Sequence, residues 1–312
     1  MKQVVSISLG SSKRNGTTTA DFGGQLFLIK RIGTDGDKQA AARLIRELDG
    51  QVDAIGLGGT DLYIYAGNKR YTFRESAALA ANAKKTPVVD GSAIKNTLER
   101  RVIPYLETKH GLKFKDKQAL VVCAVDRFGL AEALVGAGSR TVFGDLMFGL
   151  GLPMPIRTLD GLARLASFAA PIVTKLPVSL FYPTGDKQTE VTPKFAQYFR
   201  DADIIAGDFH FIRRYMPDNM SDKLVITNTV TKEDEVLLKQ RGISMLVTTT
   251  PEMGGRSFGT NILEGVLTAL SGKRPEQLTA DDYTHLIEQT GIEPRVKKLT
   301  LGGACICKNL LL

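Results

Sequence analysis

Residues 119–148, ALVVCAVDRFGLAEALVGAGSRTVFGDLMF, carry side chains whose types and spacing could do chemistry. An apolar run ends in a turn holding Asp126, Arg127, Phe128 and Gly129. A short helix, a glycine break, a second apolar run and Asp145 follow. The N-terminus of a helix presents unpaired N–H groups and the positive end of its dipole to an anion. A glycine lets the backbone approach a diphosphate, and an arginine can bind phosphate directly. An acid about twenty residues past such a turn accepts hydrogen bonds from an adenosine ribose and repels a 2′-phosphate, which favours NAD over NADP. Asn228 and Thr249, at the ends of later strands, complete the expected cofactor set. Only one glycine stands in the turn where the usual fingerprint has three. The plainer alternative is that Asp145 caps a loop and Arg127 pairs with a surface carboxylate.

Three further stretches carry chemistry. In TTTPEMGGRSFGTNILEG (248–265), Arg256, Ser257, Thr260 and Asn261 sit on a glycine-rich loop entering a helix that Thr260 is expected to cap. They could hold a substrate carboxylate or close over a nicotinamide, or the loop could be a simple turn. In AGDFHFIRRYMPD (206–218), Asp208, His210, Arg213 and Arg214 gather in a loop-like segment. His210 is a candidate acid–base or orienting residue, with a hydrogen-bonded loop histidine as the alternative. The N-terminal third places small hydroxylated residues at strand ends in SISLGSSKRN, GLGGTDLY and VVDGSAIKNTLER. Ser6, Ser8, Ser11 and Asp61 are candidate substrate contacts. Asp90 and Lys95 straddle a helix start, where a lysine beside a carboxylate could move a proton to or from a hydroxyl. Against this, Lys95 could simply pair with Glu99 four residues on.

The elements that must position these groups alternate. Strands are expected at 4–9 and 26–32. A helix follows, with Ala41, Leu44, Ile45 and Leu48 on one face and Gly50 at its end. A strand at 53–59, a hairpin through AGNK, a helix and the short strand PVVD come next. Ser92 is expected to cap a helix that Pro104 kinks or splits. Beyond a charged break at 109–118, six strands are expected at 119–125, 140–144, 177–182, 203–207, 223–228 and 243–249. Helices are expected at 129–137, 158–169, 193–201, 231–241 and 260–271, and 207–223 reads as a loop. Strands apolar nearly throughout suit a parallel sheet covered on both faces. The fold class is therefore α/β: an N-terminal α/β substrate domain (1–117), a doubly wound Rossmann-like sheet (118–272) and a C-terminal helix and tail (273–312).

Composition narrows the function classes. The formal charge of +8 suits small anions, because the basic residues are scattered and no aromatic-interleaved basic stripe is present to bind nucleic acid. The three cysteines, Cys123, Cys305 and Cys307, read as reduced thiols of a cytoplasmic protein, and C-I-C alone makes a weak metal grip. No apolar run reaches the length needed to cross a membrane. P-loop, G-x-S-x-G, H-E-x-x-H, D-F-G and paired C-x-x-C motifs are absent.

The segments SISLGSS, IGTDGD, GLGG-DLY, VVDGSAIKNTLERR and GGRSFGTN resemble, over nearly the whole chain, bacterial sequences labelled quinate 5-dehydrogenase. The layout resembles the shikimate/quinate dehydrogenases more broadly. That resemblance implies oxidation of a cyclic hydroxy acid by NAD(P) without a metal. It also implies serines for the substrate carboxylate, matched by Ser6, Ser8, Ser11 and Ser12, and a catalytic Lys–Asp pair, with Lys95 matching the lysine. The aspartate has no clean match, and D-R-F-G replaces G-x-G-x-x-G. The expectation is an NAD-preferring dehydrogenase of a small anionic hydroxy acid, with no nucleic-acid or membrane partner and a homodimer left open. An S-adenosylmethionine or other adenosine-ligand enzyme, and a non-catalytic metabolite-binding protein, are the alternatives.

Overall fold

A computed structural model of the protein describes residues 1–66, 69–176, 191–253 and 256–299. The strand expected at 177–182, the glycines at 254–255 and the C-I-C segment lie outside them. In chain order the elements are β1 (Lys2–Ser8), β2 (Gly16–Phe22), β3 (Gln25–Gly33), α1 (Lys38–Leu48), β4 (Ala54–Gly58), β5 (Tyr63–Ala66), β6 (Lys69–Thr72), α2 (Arg74–Ala80), β7 (Val88–Val89) and α3 (Ser92–His110). They continue with β8 (Gln118–Val121), α4 (Phe128–Gly136), β9 (Arg140–Phe143), α5 (Leu159–Val173), α6 (Ala196–Asp201), β10 (Ile204–Ala206), α7 (Phe209–Tyr215), β11 (Leu224–Thr227), α8 (Lys232–Gln240) and β12 (Met245–Thr248). The last are β13 (Glu252–Met253), β14 (Arg256–Ser257), α9 (Thr260–Ser271), α10 (Ala280–Thr290) and β15 (Arg295–Lys298).

Two compact units form. Unit 1 takes 1–97, 168–176 and 252–293; unit 2 takes 98–167, 191–251 and 294–299. This departs from the contiguous division expected at 117/118 and 272/273. The α9–α10 segment returns to unit 1, because the apolar face of α9 is needed over the N-terminal sheet.

Unit 1 holds a five-stranded sheet in the order β2-β3-β1-β4-β7, parallel except for the edge strand β2. Period-two alternation sends Val5, Ile7, Ile55 and Leu57 into a core with Ala41 and Ile45 of α1 and Leu79 of α2. Val4 and Ala54 point the other way, where α9 lies so close that a Cβ on Gly265 would stand 2.8 Å from Val4.

Unit 2 holds a six-stranded sheet in the order β15-β12-β11-β10-β8-β9, parallel except for β15. Ala119, Val121, Ile204, Ile226 and Val247 pack with Val102, Ile103 and Leu106 of α3 and Leu130 and Leu134 of α4. Leu120, Val122, Ile205, Val225 and Leu246 pack with Phe199 of α6, Ile212 of α7 and Leu238 of α8. Helices therefore cover both faces of this sheet, as in a doubly wound Rossmann-like α/β fold.

Four local expectations are corrected. Pro104 does not split α3, which runs unbroken through it; its ring removes one backbone donor on a solvent-facing stretch, where water can serve the freed carbonyl. Ser92 does not cap α3: its N–H and hydroxyl both donate to Asp90 Oδ1, at 3.1 and 2.7 Å, so Asp90 supplies the cap. Thr260 is the first residue of α9, whose N-cap is Gly259 with no side-chain acceptor. The segment expected to be loop at 207–223 contains α7, capped by the Asp208 carboxylate. The helix expected at 231–241 is α8, opened by a capping box in which Thr231 and Asp234 serve each other's backbone N–H. Among the described residues, no helix is long and apolar enough to cross a membrane.

Candidate functional site

Each unit presents one carboxyl edge of a parallel sheet, the place where open α/β sheets bind ligands. In unit 2 the strand order reverses between β8 and β10. Arg127, after β8, is buried there with 5% of its side chain exposed. Its Nη1 donates to Glu99 Oε1 at 2.7 Å and its Nη2 to Asp208 Oδ2 at 2.9 Å, and Nε lies 3.7 Å from Asp126 Oδ2. Burial alone would lower the pKa of this guanidinium, but Glu99, Asp126 and Asp208 outweigh burial and raise it. Asp208 also accepts from Asn228 Nδ2 at 2.9 Å and from the His210 N–H at 2.9 Å. Asn228 Oδ1 in turn accepts from Thr227 Oγ1 at 3.0 Å.

Asp145 completes this edge. Its carboxylate accepts from the N–H of Ala124 at 3.1 Å and of Val125 at 2.8 Å, the donors of the β8–α4 turn itself. Burial pushes its pKa up to about 6 against the pull of those two N–H groups, and Asp126 adds to the rise. Two expectations are corrected here. Arg127 is locked between carboxylates of its own chain rather than held out to a diphosphate. Asp145 sits in the anion seat of the turn rather than on a ribose, so the basis for preferring NAD over NADP is absent in this geometry. Phe128 and Gly129 are buried at the start of α4, and Thr249 is buried at the end of β12, donating its N–H to Thr227 O at 2.8 Å. His210 lies on α7 rather than in a loop, with its side chain exposed and its backbone N–H donating to the Asp208 cap. Burial and then the carboxylates of Asp145, Asp126 and Asp208 push the Cys123 thiol well above its ordinary value, so it is not a poised thiolate.

In unit 1 the order reverses between β1 and β4. Ser6 and Ser8 are buried on the face that α9 covers. Asn261, in the first turn of α9, donates from Nδ2 to Ser6 Oγ at 2.8 Å. Ser8 Oγ accepts from the Gly10 N–H and from Arg31 Nη2, each at 3.1 Å. Ser11 caps the short turn that follows, accepting from the Lys13 N–H at 3.2 Å, and its carbonyl accepts from Arg31 Nη1 at 3.0 Å. The close seating of α9 depends on Gly91, whose φ is +94° and where a Cβ would stand 2.4 Å from Thr260 Oγ1 and 2.5 Å from Asn261 N. Asp61 is half-buried in the loop after β4. Arg256 and Ser257 form β14 against β13; their side chains lie outside the described part.

Asp90, expected as a catalytic partner, is a structural staple. Its Oδ2 accepts from the N–H of Leu62 at 2.5 Å and of Tyr63 at 3.2 Å, while Oδ1 holds Ser92. Lys95 is buried on the first turn of α3. Unit 1 also holds a buried carboxyl that sequence reasoning missed. Glu264 of α9 is fully enclosed, accepts from the Tyr283 hydroxyl at 3.2 Å, and is pushed up to about 8 by burial and then by the Asp90 charge; the Gly91 and Ala93 N–H groups and Tyr283 oppose the rise. A lone acid in the apolar run NILEGVLTAL was the available signal. Arg31 was missed too, although Phe27, Ile29 and Arg31 share one face of β3 and a charge at a core-facing position breaks the pattern.

The residues expected to touch substrate thus gather in unit 1, and those expected to touch cofactor gather in unit 2 but bind one another. Fold and edges define a two-unit α/β protein with a Rossmann-like sheet. The chain belongs to the family described as Domain of unknown function (DUF8754), whose model matches residues 93–299; a second, Domain of unknown function (DUF8753), matches residues 3–90. No curated protein matches. Similar solved structures include hetero-hexameric glutamate dehydrogenase from Thermus thermophilus, at 14% identity and TM-score 0.42, covering 93% of this chain and 74% of that one. A galactofuranose binding protein matches at 12% identity and TM-score 0.35 over 93% and 99%. The Trypanosoma brucei methylenetetrahydrofolate dehydrogenase-cyclohydrolase, complexed with NADP cofactor and inhibitor, matches at 10% and 0.35 over 93% and 88%. At these scores the likenesses carry no argument about activity.

Proposed function

We propose that the protein binds a small hydroxylated carboxylate at the carboxyl edge of unit 1 and oxidises or reduces it with a nicotinamide nucleotide, NAD or NADP, at the carboxyl edge of unit 2. The observation that carries the substrate half is the convergence of Ser6, Ser8 and Asn261 at the strand-order reversal of unit 1. Hydroxyl and amide groups at such a crevice suit a polyhydroxylated acid. The resemblance to the sequences labelled quinate 5-dehydrogenase supports the same class. Lys95, buried at the start of α3, is the group in unit 1 suited to take or return a hydroxyl proton.

The nucleotide half rests on the β8–α4–β9 layout with an acid closing the second strand. It carries a definite requirement: Asp145 must release the Ala124 and Val125 N–H groups before a diphosphate can use them. Titration of the purified protein with NAD, NADP and quinate, read by calorimetry, tests both halves. Binding of quinate together with one nucleotide is the expected result; failure of both nucleotides removes the oxidoreductase half.

A second reading keeps the substrate site and drops the redox chemistry. The enclosed Arg127–Asp208 pair at the strand-order reversal of unit 2 favours it. On that reading the protein is a metabolite-binding one, and quinate binds while neither nucleotide does.

A further inference from the structure

We infer that Arg31, with Ser8 beside it, is the seat of an anionic group, a carboxylate or phosphate, on a small ligand of unit 1. The location rests on the substrate reading above; the charge argument stands without any cofactor.

Parallel register sets Arg31 beside Ser6 of β1, on the face shared with Ile29 and Phe27. A guanidinium there is half-buried, and leaving water is costly unless an anion meets it. Among the described residues, no carboxylate lies within 4 Å of it. The nearest acid in influence, Asp35, is turned to the Ser12 N–H at 2.8 Å. Burial and then the like charge of Arg14 pull the Arg31 pKa down to about 10, with Asp35 only partly opposing them. The positive charge on Arg31 thus has too little negative charge around it to balance it.

The donors are arranged for an oxyanion. Arg31 has five N–H groups and spends two on Ser11 O and Ser8 Oγ. The Ser8 hydroxyl accepts from both Arg31 and the Gly10 N–H, which leaves its own hydrogen to donate. Glycines stand on both sides: a Cβ on Gly10 would lie 3.2 Å from Arg31 Nη2 and from Ser8 Oγ, and one on Gly58 would lie 3.0 Å from Ser8 Oγ and 3.3 Å from Asn261 Nδ2. A planar fork with a hydroxyl beside it matches the two oxygens of a carboxylate or of a phosphate.

Calorimetric titration of the full chain with inorganic phosphate and with quinate tests the assignment, on wild type, Arg31→Gln and Arg14→Gln, each checked for folding by circular dichroism. The expected result is binding of at least one probe by wild type, weakened about tenfold or more in Arg31→Gln and a few-fold in Arg14→Gln. If Arg31→Gln does not fold, Arg14→Gln decides, because the Arg14 side chain is exposed. Unchanged affinity in a folded Arg31→Gln, unchanged affinity in Arg14→Gln when that variant decides, or failure of wild type to bind either anion overturns the assignment. Quinate bound equally by wild type and Arg31→Gln removes the seat and leaves the substrate reading standing. Phosphate lost in Arg31→Gln, with quinate never bound, keeps the seat and removes the hydroxy-acid reading.

Discussion

The two carboxyl edges of this chain handle charge in opposite ways. In unit 2, Arg127 is ringed by Glu99, Asp126 and Asp208, and Asp145 takes the free N–H groups of its own turn. In unit 1, Arg31 feels the like charge of Arg14 and donates to a carbonyl and a hydroxyl, those of Ser11 and Ser8. A charge matched within the fold contributes to holding the fold; a charge left unmatched at a sheet edge calls for something from outside. A motif search alone points to unit 2, whereas the balance of charge points to unit 1.

The comparison can be broken most directly at Arg127. Arg127→Met leaves three carboxylates facing one another in a buried place, and the loss of stability by urea denaturation is expected to be ~3–5 kcal/mol. A loss near zero would show that the network is not holding unit 2 together. The next effect concerns the buried acid of unit 1. With Glu264 raised to about 8 from an ordinary 4.5, the folded protein keeps a proton that the unfolded chain releases between those values. Its contribution to stability is therefore fully present below pH 4.5, falls as pH rises through that window, and levels off above about 8. Glu264→Gln removes that slope and is expected to exceed wild type by about 3 kcal/mol at pH 9, as read from urea midpoints across pH.

Asp145→Ala strips the turn of its acceptor and leaves the Ala124 and Val125 N–H groups unserved, an expected cost of ~2 kcal/mol at neutral pH. An unchanged urea midpoint would mean that other acceptors reach them. The smallest effect sharpens the contrast. Arg31→Met in ligand-free protein breaks two hydrogen bonds but also removes an uncompensated charge, so the expected change is under ~1 kcal/mol in either direction. Equal losses at Arg31 and Arg127 would erase the distinction between the edges.

Much of the scaffold could be read from residue order. Apolar runs located β1, β3, β4 and the strands β8 to β12 of the second sheet, and the helix expected at 231–241 matches α8 to within one residue at each end. The α7 helix escaped because Arg213, Arg214 and His210 obscure the apolar face of Phe209, Ile212 and Tyr215 that buries it. The site was harder to read. Ser6, Ser8 and Asn261 could be nominated, but their meeting depends on pairing across 255 positions, which no local pattern reports. Arg127 and Asp145 had the right types at the right spacing. What decided the role of Arg127 was the position of Glu99 and Asp208, partners distant in sequence, and what decided that of Asp145 was the pair of N–H groups it meets in the β8–α4 turn.

The return of α9 and α10 to the N-terminal sheet has a consequence for biogenesis. Residues 1–97 cannot finish one side of their sheet until the chain has been made well past β12, so a nascent chain stopped before Thr260 carries Val4, Ala54 and Val89 bare toward water. Chaperone capture during synthesis is expected to fall sharply once α9 has emerged from the ribosome. Separate expression of the N-terminal third should yield an aggregating product unless the 260–290 segment is added back.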